Sequence, residues 1–233
     1  MSVLSNAPAV RRRACALALP GIPLALLVGS LIGPTDSTDN ATQLAAAAAH
    51  GGRWQGAALC ELLAAGLFPI AAAGVVRVAR RRGATVAHLA AVLAGLGSLG
   101  MAAIAFRHLF IYGLTAASRP AALDVLDRVD NHAGAVAMPL MIAGPFALLA
   151  VAGAAARSGL ASRWTVAGAI LFGISDSLPI PAAEEIQGAI GIVTFGAIAV
   201  KLLRLTDEQW EAAAVPERAT AATAPRVAAR AGA

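Results

Sequence analysis

The chain has 233 residues, of which 58% are hydrophobic and only 13% are charged, and its formal net charge is +5. A soluble domain of this size needs more polar surface than this composition supplies, which excludes an ordinary water-soluble globular protein. The basic residues lie at the ends of apolar runs and not on one polar face, which argues against nucleic acid as a partner. We therefore predict an integral membrane protein whose principal partner is the lipid bilayer.

Six apolar runs are long enough to cross about 30 Å of hydrocarbon at ~1.5 Å per helical residue. In chain order they are residues 14–33, 54–76, 85–106, 133–156, 164–178 and 182–203. The predicted fold class is all-α, a polytopic transmembrane helix bundle of about six spans. Residues 1–13 precede this 14–205 transmembrane domain, and residues 206–233 form an alanine-rich tail for which we expect disorder from about Pro216.

Basic residues mark alternate connections between these runs, and by the positive-inside rule such connections face the cytoplasm. They are Arg11 to Arg13, Arg77 with Arg80 to Arg82, Arg157 with Arg163, and Lys201 with Arg204. Both termini are then predicted to be cytoplasmic. The loops at 34–53 and 114–131 are predicted to face outward, in a multi-pass protein of the plasma membrane.

The two outward loops each carry a helical pattern. In the first, Asn40-Ala-Thr-Gln-Leu followed by Ala45 to Ala49 predicts a capped, alanine-rich helix outside the membrane. In the second, residues 118–131 combine apolar residues at helical spacing with aspartates on the opposite face. This pattern predicts a short helix on the membrane surface.

Ionisable side chains within the hydrocarbon cost about 2.5–3.5 kcal/mol on insertion scales, so each is a functional candidate by default. Counted from the inner-face arginines at ~1.5 Å per residue, the acidic candidates lie about 18–24 Å up and the basic ones about 33 Å up. The acidic candidates are Glu61, Asp176, Glu184 and Glu185, and the basic ones are Arg107 and His108. Helical side chains lean toward the helix N-terminus, so we expect Glu61 and Arg107 on antiparallel neighbours to converge as an ion pair.

The segment Ser175-Asp-Ser-Leu-Pro-Ile-Pro-Ala-Ala-Glu-Glu breaks the chain between the fifth and sixth spans. Because the fifth span is short, the break should lie below the outer interface, where irregular backbone is tolerated only when it packs in protein or lines a wet cavity. We predict a polar, ligand-binding pocket in the outer half of the bundle. Its predicted border is Glu61, Arg107, His108, Tyr112, Asp176, Glu184 and Glu185.

Each of these candidates also has a structural interpretation. Glu184 and Glu185 follow Pro181 in a first helical turn, where acids complement the helix dipole. Asp176 is typical of a turn residue, and Glu61 with its partner can be a purely structural pair. The sequence leaves these alternatives open.

No motif in the sequence indicates a metal or a nucleotide. His108 and His132 both lie near the predicted outer face, but two isolated histidines lack the organised spacing of metal ligands. The chain also lacks a Walker loop, a dinucleotide-binding glycine motif and a serine-hydrolase elbow. We therefore predict neither a metal site nor a cofactor.

Three short motifs lie in the second predicted span, in the turn before the fifth span and at the start of the fifth span. They are Ala57-Ala-Leu-Cys-Glu-Leu-Leu, Arg157-Ser-Gly-Leu-Ala-Ser-Arg-Trp and Thr165-Val-Ala-Gly-Ala-Ile. Together with the six-span layout they resemble a family of bacterial multi-pass membrane proteins of unknown function, over roughly 54–204. In that family a glutamate stands in span two, as Glu61 does here, and a Gly-Leu-x-x-Arg-Trp turn precedes span five. The long first outer loop and the proline-rich break depart from the family. The resemblance implies the fold, the topology and a bacterial plasma membrane, but no activity.

Three functional hypotheses follow from these observations. The first is a membrane protein whose outer pocket binds a small or amphiphilic ligand, for transport or sensing. The second is a membrane enzyme that performs acid–base chemistry on a lipid-phase substrate such as an isoprenoid, with Glu61 or Asp176 as the catalytic acid. The third is a structural or accessory subunit in which the acids are satisfied pairs. The oligomeric state is left open.

Overall fold

The computed structural model describes residues 7–34, 37–79, 83–175 and 182–213, and within these ranges the protein is all-α, as predicted. The described ranges contain eight helices. They are α1 (Ala7–Ile32), α2 (Asn40–Ala49), α3 (Gly51–Val78), α4 (Ala84–Leu114), α5 (Arg119–Arg157), α6 (Trp164–Ser175), α7 (Ala183–Leu203) and α8 (Asp207–Ala212).

Five of these helices, α1, α3, α4, α5 and α7, are long and apolar enough to cross a membrane. The chain is therefore a multi-pass membrane protein in contact with lipid. The predicted fifth span, 164–178, corresponds to α6, whose described part has 12 residues and is about 18 Å long, less than the thickness of the hydrocarbon. The prediction of six full spans is thus met by five long helices and one short one in the described ranges.

The six apolar helices form a closed ring in chain order. α1 packs against α3 and α7, α3 against α4, α4 against α5, α5 against α6, and α6 against α7. The buried core of the ring is rich in alanine, for example Ala16, Ala64 and Ala147, whereas large apolar side chains such as Leu59 and Val193 are exposed. Small residues between helices and bulky ones outside are the arrangement expected of a bundle surrounded by lipid.

The contact between α4 and α5 brings the two backbones close together and depends on glycine. A Cβ atom added at Gly100 would lie 2.5 Å from the carbonyl carbon of Leu140, and one added at Gly97 would lie 2.6 Å from the Cα atom of Gly144. Neither position has room for a side chain, because the facing atoms belong to backbone. These two glycines therefore set the separation of the α4 and α5 backbones.

The structure corrects the prediction of a separate surface helix at 118–131. These residues form the beginning of α5, a continuous helix of 39 residues that is about 58 Å long. Asn131 and His132, between the polar and apolar parts, are not helix breakers, so the helix continues through them. The change in polarity marks where the apolar stretch begins and not where a helix ends.

The predicted helix at 40–49 is confirmed as α2. Its N-cap is Asp39, whose carboxylate accepts hydrogen bonds from the Thr42 hydroxyl at 2.7 Å and the Thr42 backbone N–H at 2.8 Å. These hydrogen bonds lower the pKa of Asp39 below its usual value. The side chain thus begins the helix in the manner usual for an aspartate cap.

The predicted tail, 206–233, begins with a short helix, α8, which was not expected. Thr206 and Gln209 form a capping box, and the buried Trp210 packs below the guanidinium of Arg77 at 5.1 Å. Arg77 also donates to the Trp210 carbonyl at 3.1 Å. The disorder predicted beyond Pro216 lies outside the described residues.

The ring has two distinct ends. The α2 end carries α2, the C-terminal ends of α4 and α6 and the N-terminal ends of α5 and α7. The opposite α8 end carries α8, the C-terminal ends of α3 and α5 and the N-terminal ends of α4 and α6. Which end faces the cytoplasm stays a prediction from the sequence.

Candidate ligand-binding site

A cavity of about 480 Å³ lies inside the ring at the α2 end. Its walls come from α1, the linker to α2, α2 itself, α3, α4, α5, α6 and α7. Every apolar helix of the ring therefore borders the cavity. Its volume is within the range of about 300–1,000 Å³ that is usual for small-molecule sites.

One wall of the cavity carries an acid and a histidine in direct contact. The Nδ1 atom of His108 on α4 lies 2.9 Å from the Oε2 atom of Glu61 on α3. The His108 side chain is 22% exposed and that of Glu61 is 17% exposed, so both retain surface toward the cavity that they line. The pair is thus half-buried and within reach of a molecule in the cavity.

Trp54 on α3 contacts both the backbone and the ring of His108. Its indole N–H donates to the His108 carbonyl at 2.7 Å, and the two rings meet edge to face with centroids 5.1 Å apart. Trp54 itself is buried and lines the cavity. An indole in this position fixes both the backbone and the ring of His108.

The first turns of α7 supply the opposite polar wall. Glu184 and Gln187 both line the cavity, one turn apart. The Gln187 amide donates to the Phe172 carbonyl at 3.2 Å, which joins α7 to the end of α6. Next to them, Gly188 faces Leu27 of α1 so closely that an added Cβ would lie 2.8 Å from it. Glycine here lets α1 and α7 close the ring beside the polar groups.

Much of the remaining lining is apolar, with aliphatic, methionine and phenylalanine side chains such as Leu26, Ile104, Met141 and Phe172. Ser30, Ser37, Thr38 and Gln43 add polar groups at the end of α1, the linker and α2. A molecule that fills the cavity therefore meets both polar groups and hydrocarbon. This division of polarity suits an amphiphile better than a wholly polar or wholly apolar molecule.

The predicted ion pair between Glu61 and Arg107 is wrong. Arg107 binds Asp130 of α5 through two hydrogen bonds, Nε to Oδ1 at 2.8 Å and Nη2 to Oδ2 at 2.9 Å. It also donates to Gln43 at 2.7 Å and to Asn40 at 2.7 Å, both on α2. A carboxylate that accepts both arms of the guanidinium is a better partner than one that reaches a single N–H. Glu61 instead pairs with the neighbouring His108.

These contacts form a cluster that we call the α2 clamp: Asn40, Gln43, Arg107, Asp127 and Asp130. Asn40 completes it by donating to Asp127 at 2.9 Å and to Asp130 at 3.0 Å. Gln43 is the member that lines the cavity, and it also donates to the Ser37 carbonyl at 2.7 Å in the linker. The clamp therefore fastens α2 and its linker over the cavity, against α4 and α5.

The structure distributes the seven predicted site residues unevenly. Glu61, His108 and Glu184 line the cavity, and Arg107 stands behind Gln43. Tyr112 packs against Gly51 at the start of α3, and Glu185 is exposed on α7; neither is among the cavity-lining residues described. Asp176 lies outside the described residues.

The cavity-lining residues that the sequence analysis did not name as site candidates include Gln43, Trp54 and Gln187. All three are uncharged, so a search restricted to ionisable groups passed over them. Gln187 carried a usable signal, because an amide within an apolar run has to find a hydrogen-bond partner inside the bundle. Gln43 carried none, since it lies on α2, outside the predicted apolar runs, where polar residues are ordinary.

Within the described ranges, no three His, Cys, Asp or Glu side chains come together in a group that could hold a metal ion. Cys15 and Cys60 are free thiols on α1 and α3. Comparison of the chain with protein-family models, curated proteins and solved structures gave no match. The resemblance to bacterial six-span proteins therefore stays a prediction.

Proposed function

We propose that this multi-pass membrane protein binds a small amphiphilic molecule in the cavity at the α2 end, in order to transport or sense it. The observation that carries the proposal is a cavity of about 480 Å³ with the Glu61/His108 pair on one wall, Glu184 and Gln187 on another, and hydrocarbon between them. The polar head of the ligand would contact the polar walls. Its apolar part would lie against Met141 and its neighbours.

The partial exposure of the Glu61/His108 pair favours this function over a purely structural role. Ionisable groups at membrane depth are costly, so a pair retained beside a cavity is a candidate for contact with a ligand. Glu61 and His108 are 17% and 22% exposed, respectively, and both line the cavity. An accessory subunit needs no polar pair at a cavity.

The same pair supports an enzyme as a second candidate. A carboxylate in contact with a histidine at 2.9 Å can orient the ring and take part in proton transfer to a bound substrate. In this alternative His108 acts as the acid or base on a lipid-phase substrate such as an isoprenoid, and Glu61 acts through it. Turnover by the purified protein, and its loss in His108→Asn, would distinguish catalysis from binding alone.

We further propose that the α2 end faces outward from a bacterial plasma membrane, on the strength of the distribution of basic residues. The test uses single cysteines introduced at the exposed positions Asp127, at the α2 end, and Glu208, at the α8 end, in a background without Cys15 and Cys60. A membrane-impermeant maleimide applied to intact cells should label position 127 and leave position 208 unlabelled. The reverse pattern would invert the topology.

Binding can be measured at Trp54, which is buried and lines the cavity. The protein in phosphatidylcholine nanodiscs is titrated with dodecyl amphiphiles that carry bromine, a contact quencher of indole fluorescence, at the tail. Subtraction of the Trp54→Phe signal isolates the contribution of Trp54 from that of the exposed Trp164 and of Trp210. We expect saturable quenching at low mole fraction of probe in the bilayer.

A cavity-filling variant provides the control. Ala57 lines the cavity, whereas Leu59, on the same helix, faces outward with its side chain exposed. Ala57→Phe should abolish the saturable quenching, and Leu59→Phe should preserve it. Quenching that survives Ala57→Phe would place the probe outside the cavity and refute the proposal.

A further inference from the structure

The chain between α5 and α6, residues 157–164, forms a short turn at the α8 end of the ring. We infer that this α5–α6 turn binds the head group of an anionic phospholipid, whose phosphate pairs with Arg157 and Arg163 while the Trp164 ring lies beside the glycerol esters. The inference is independent of the proposed function, because none of these three residues is among the described residues that line the cavity.

Trp164 shows that the turn lies at the surface of the bilayer. It is the first residue of α6 and is 82% exposed, more than any other large hydrophobic residue that the described ranges leave exposed. Indole rings concentrate where hydrocarbon meets the lipid head groups, because the ring is apolar and its N–H is polar. An exposed tryptophan at the end of an apolar helix is therefore typical of contact with lipid head groups.

The two arginines beside this ring are available to an anion. Arg157 is the last residue of α5, Arg163 directly precedes Trp164, and both are exposed. Neither has an ion-pair partner in the part of the chain that the structure describes. The sequence contains no acidic residue between Asp130 and Asp176. Guanidinium groups without a carboxylate partner attract anions and match the geometry of phosphate.

The turn is compact, which keeps the two arginines together. The backbone N–H of Ala161 donates to the Ala155 carbonyl at 3.1 Å, and Gly159 adopts the left-handed φ of 77° that reverses the chain. Because α5 packs against α6, the axes of the two helices lie about 8–10 Å apart. Two arginine side chains can close this separation around one phosphate group.

The acidic residues described at this end lie on another part of the ring. They are Asp207, Glu208 and Glu211, all on α8, which packs against α1. Asp207 pairs with Arg12 of α1 at 2.7 Å, and Glu211 pairs with Arg77 of α3 at 2.8 Å. These two carboxylates neutralise arginines of α1 and α3 and not those of the α5–α6 turn.

The surface of α6 next to the turn suits the acyl chain of a lipid. Leu171 lies seven residues after Trp164, hence on the same face of the helix, and is 50% exposed. Ile170 and Ile174 are also exposed. A head group at the turn thus places its chain along apolar side chains, which a soluble anion would leave uncovered.

The test measures the preference of the turn for phosphatidylglycerol over phosphatidylcholine, which carries the same phosphate but has no net charge. Each lipid, brominated near the glycerol end of one acyl chain, replaces part of the phosphatidylcholine in nanodiscs that contain the protein. Subtraction of the Trp164→Phe signal isolates the quenching of Trp164. At about fivefold for each arginine, we expect phosphatidylglycerol to be preferred about 25-fold at low salt. In ~1 M salt, where the screening length is ~3 Å, the preference should nearly disappear.

Two double variants remove equal charge from the same end of the ring. Arg157→Gln with Arg163→Gln should abolish the preference for phosphatidylglycerol. Arg11→Gln with Arg13→Gln should leave it within about twofold, because both residues are exposed on α1, which packs against α3 and α7. Quenching by brominated phosphatidylcholine should be the same in wild type and in both double variants, which shows that the position of Trp164 is unchanged.

Three results would overturn the inference. Equal binding of the two lipids by the wild type would show that the turn does not select an anionic head group. An equal loss in the two double variants would indicate a diffuse attraction of the whole α8 end and no site at the turn. A preference that persists in high salt would show that charge is not its cause. If the Arg157/Arg163 double variant does not fold, the two single variants, each with an expected loss of about fivefold, decide in its place.

Discussion

Separate replacement and joint replacement of Arg107 and Asp130 should show that these residues stabilise the bundle as a unit. The side chains are 26% and 37% exposed, respectively, and two hydrogen bonds join them. Exposed ion pairs contribute about 0.2–1 kcal/mol, whereas removal of one partner from a fully buried pair costs about 3–5 kcal/mol. A pair at this intermediate depth should therefore have a coupling free energy of about 1–2 kcal/mol.

Arg107→Gln should cost more than that coupling, because Arg107 also donates to Asn40 and Gln43 of α2. At about 0.5–1.5 kcal/mol for each of these two net hydrogen bonds, we expect a total loss of roughly 2–5 kcal/mol. The assay is the free energy of unfolding in mixed micelles, followed by far-ultraviolet circular dichroism during titration with dodecyl sulfate. Asp130→Asn and the double variant complete the cycle.

The chain offers a matched control for this cycle in Arg128 and Asp124. They form an ion pair one turn apart on the surface of α5, with side chains 69% and 58% exposed. Its coupling should be no more than about 0.5 kcal/mol. If Arg107 and Asp130 couple no more strongly than this exposed pair, the α2 clamp does not stabilise the fold and the reasoning from burial is refuted.

Two further predictions concern helix packing. Gly100→Ala should destabilise the bundle by about 1–3 kcal/mol in the same unfolding assay, because the new methyl group would meet the Leu140 backbone. Gly95→Ala should be neutral or stabilising, because a Cβ added at Gly95 meets nothing within 4 Å. Trp210→Ala should cost about 3–5 kcal/mol and expose α8 to protease, because the Trp210 indole is buried. Trp164→Ala should have little effect, because the Trp164 ring is exposed. Equal protease sensitivity of the two variants would contradict the docking of α8.

Hydropathy predicted the membrane helices well because the cost of exposing a polar backbone to lipid makes helices nearly obligatory there. It failed at the beginning of α5 for a related reason. The aspartates before residue 133 mark the edge of the apolar stretch, but a helix in water can continue into lipid without a break. Helix ends are set by caps and breakers, and the structure has its N-cap for this helix at Ser118.

The partner of Arg107 could not be predicted in the same way. The depth of each residue along its helix axis placed Glu61 within reach of Arg107. Depth alone could not show whether Glu61 or an acceptor on another helix would be the partner of Arg107. Asp130 is 23 residues away in sequence and reaches Arg107 through the packing of α5 against α4. Asn40 is 67 residues away and reaches Arg107 through the folding of α2 over the ring. Polar networks that join distant segments depend on tertiary packing, which a single sequence does not reveal.

The two prolines of α5 make this helix easier to bend beside the cavity. Pro139 and Pro145 bracket Met141, the α5 residue that lines the cavity. A proline has no N–H, so the carbonyls of Ala135 and Met141 lose their usual helical donors, and a helix is most easily bent where such bonds are missing. The segment beyond this point carries Asp130 of the α2 clamp. A molecule that widens the cavity at Met141 would therefore bend α5 there and tilt its N-terminal part. Because that part carries Asp130, the bend would also move α2, which lies over the same cavity.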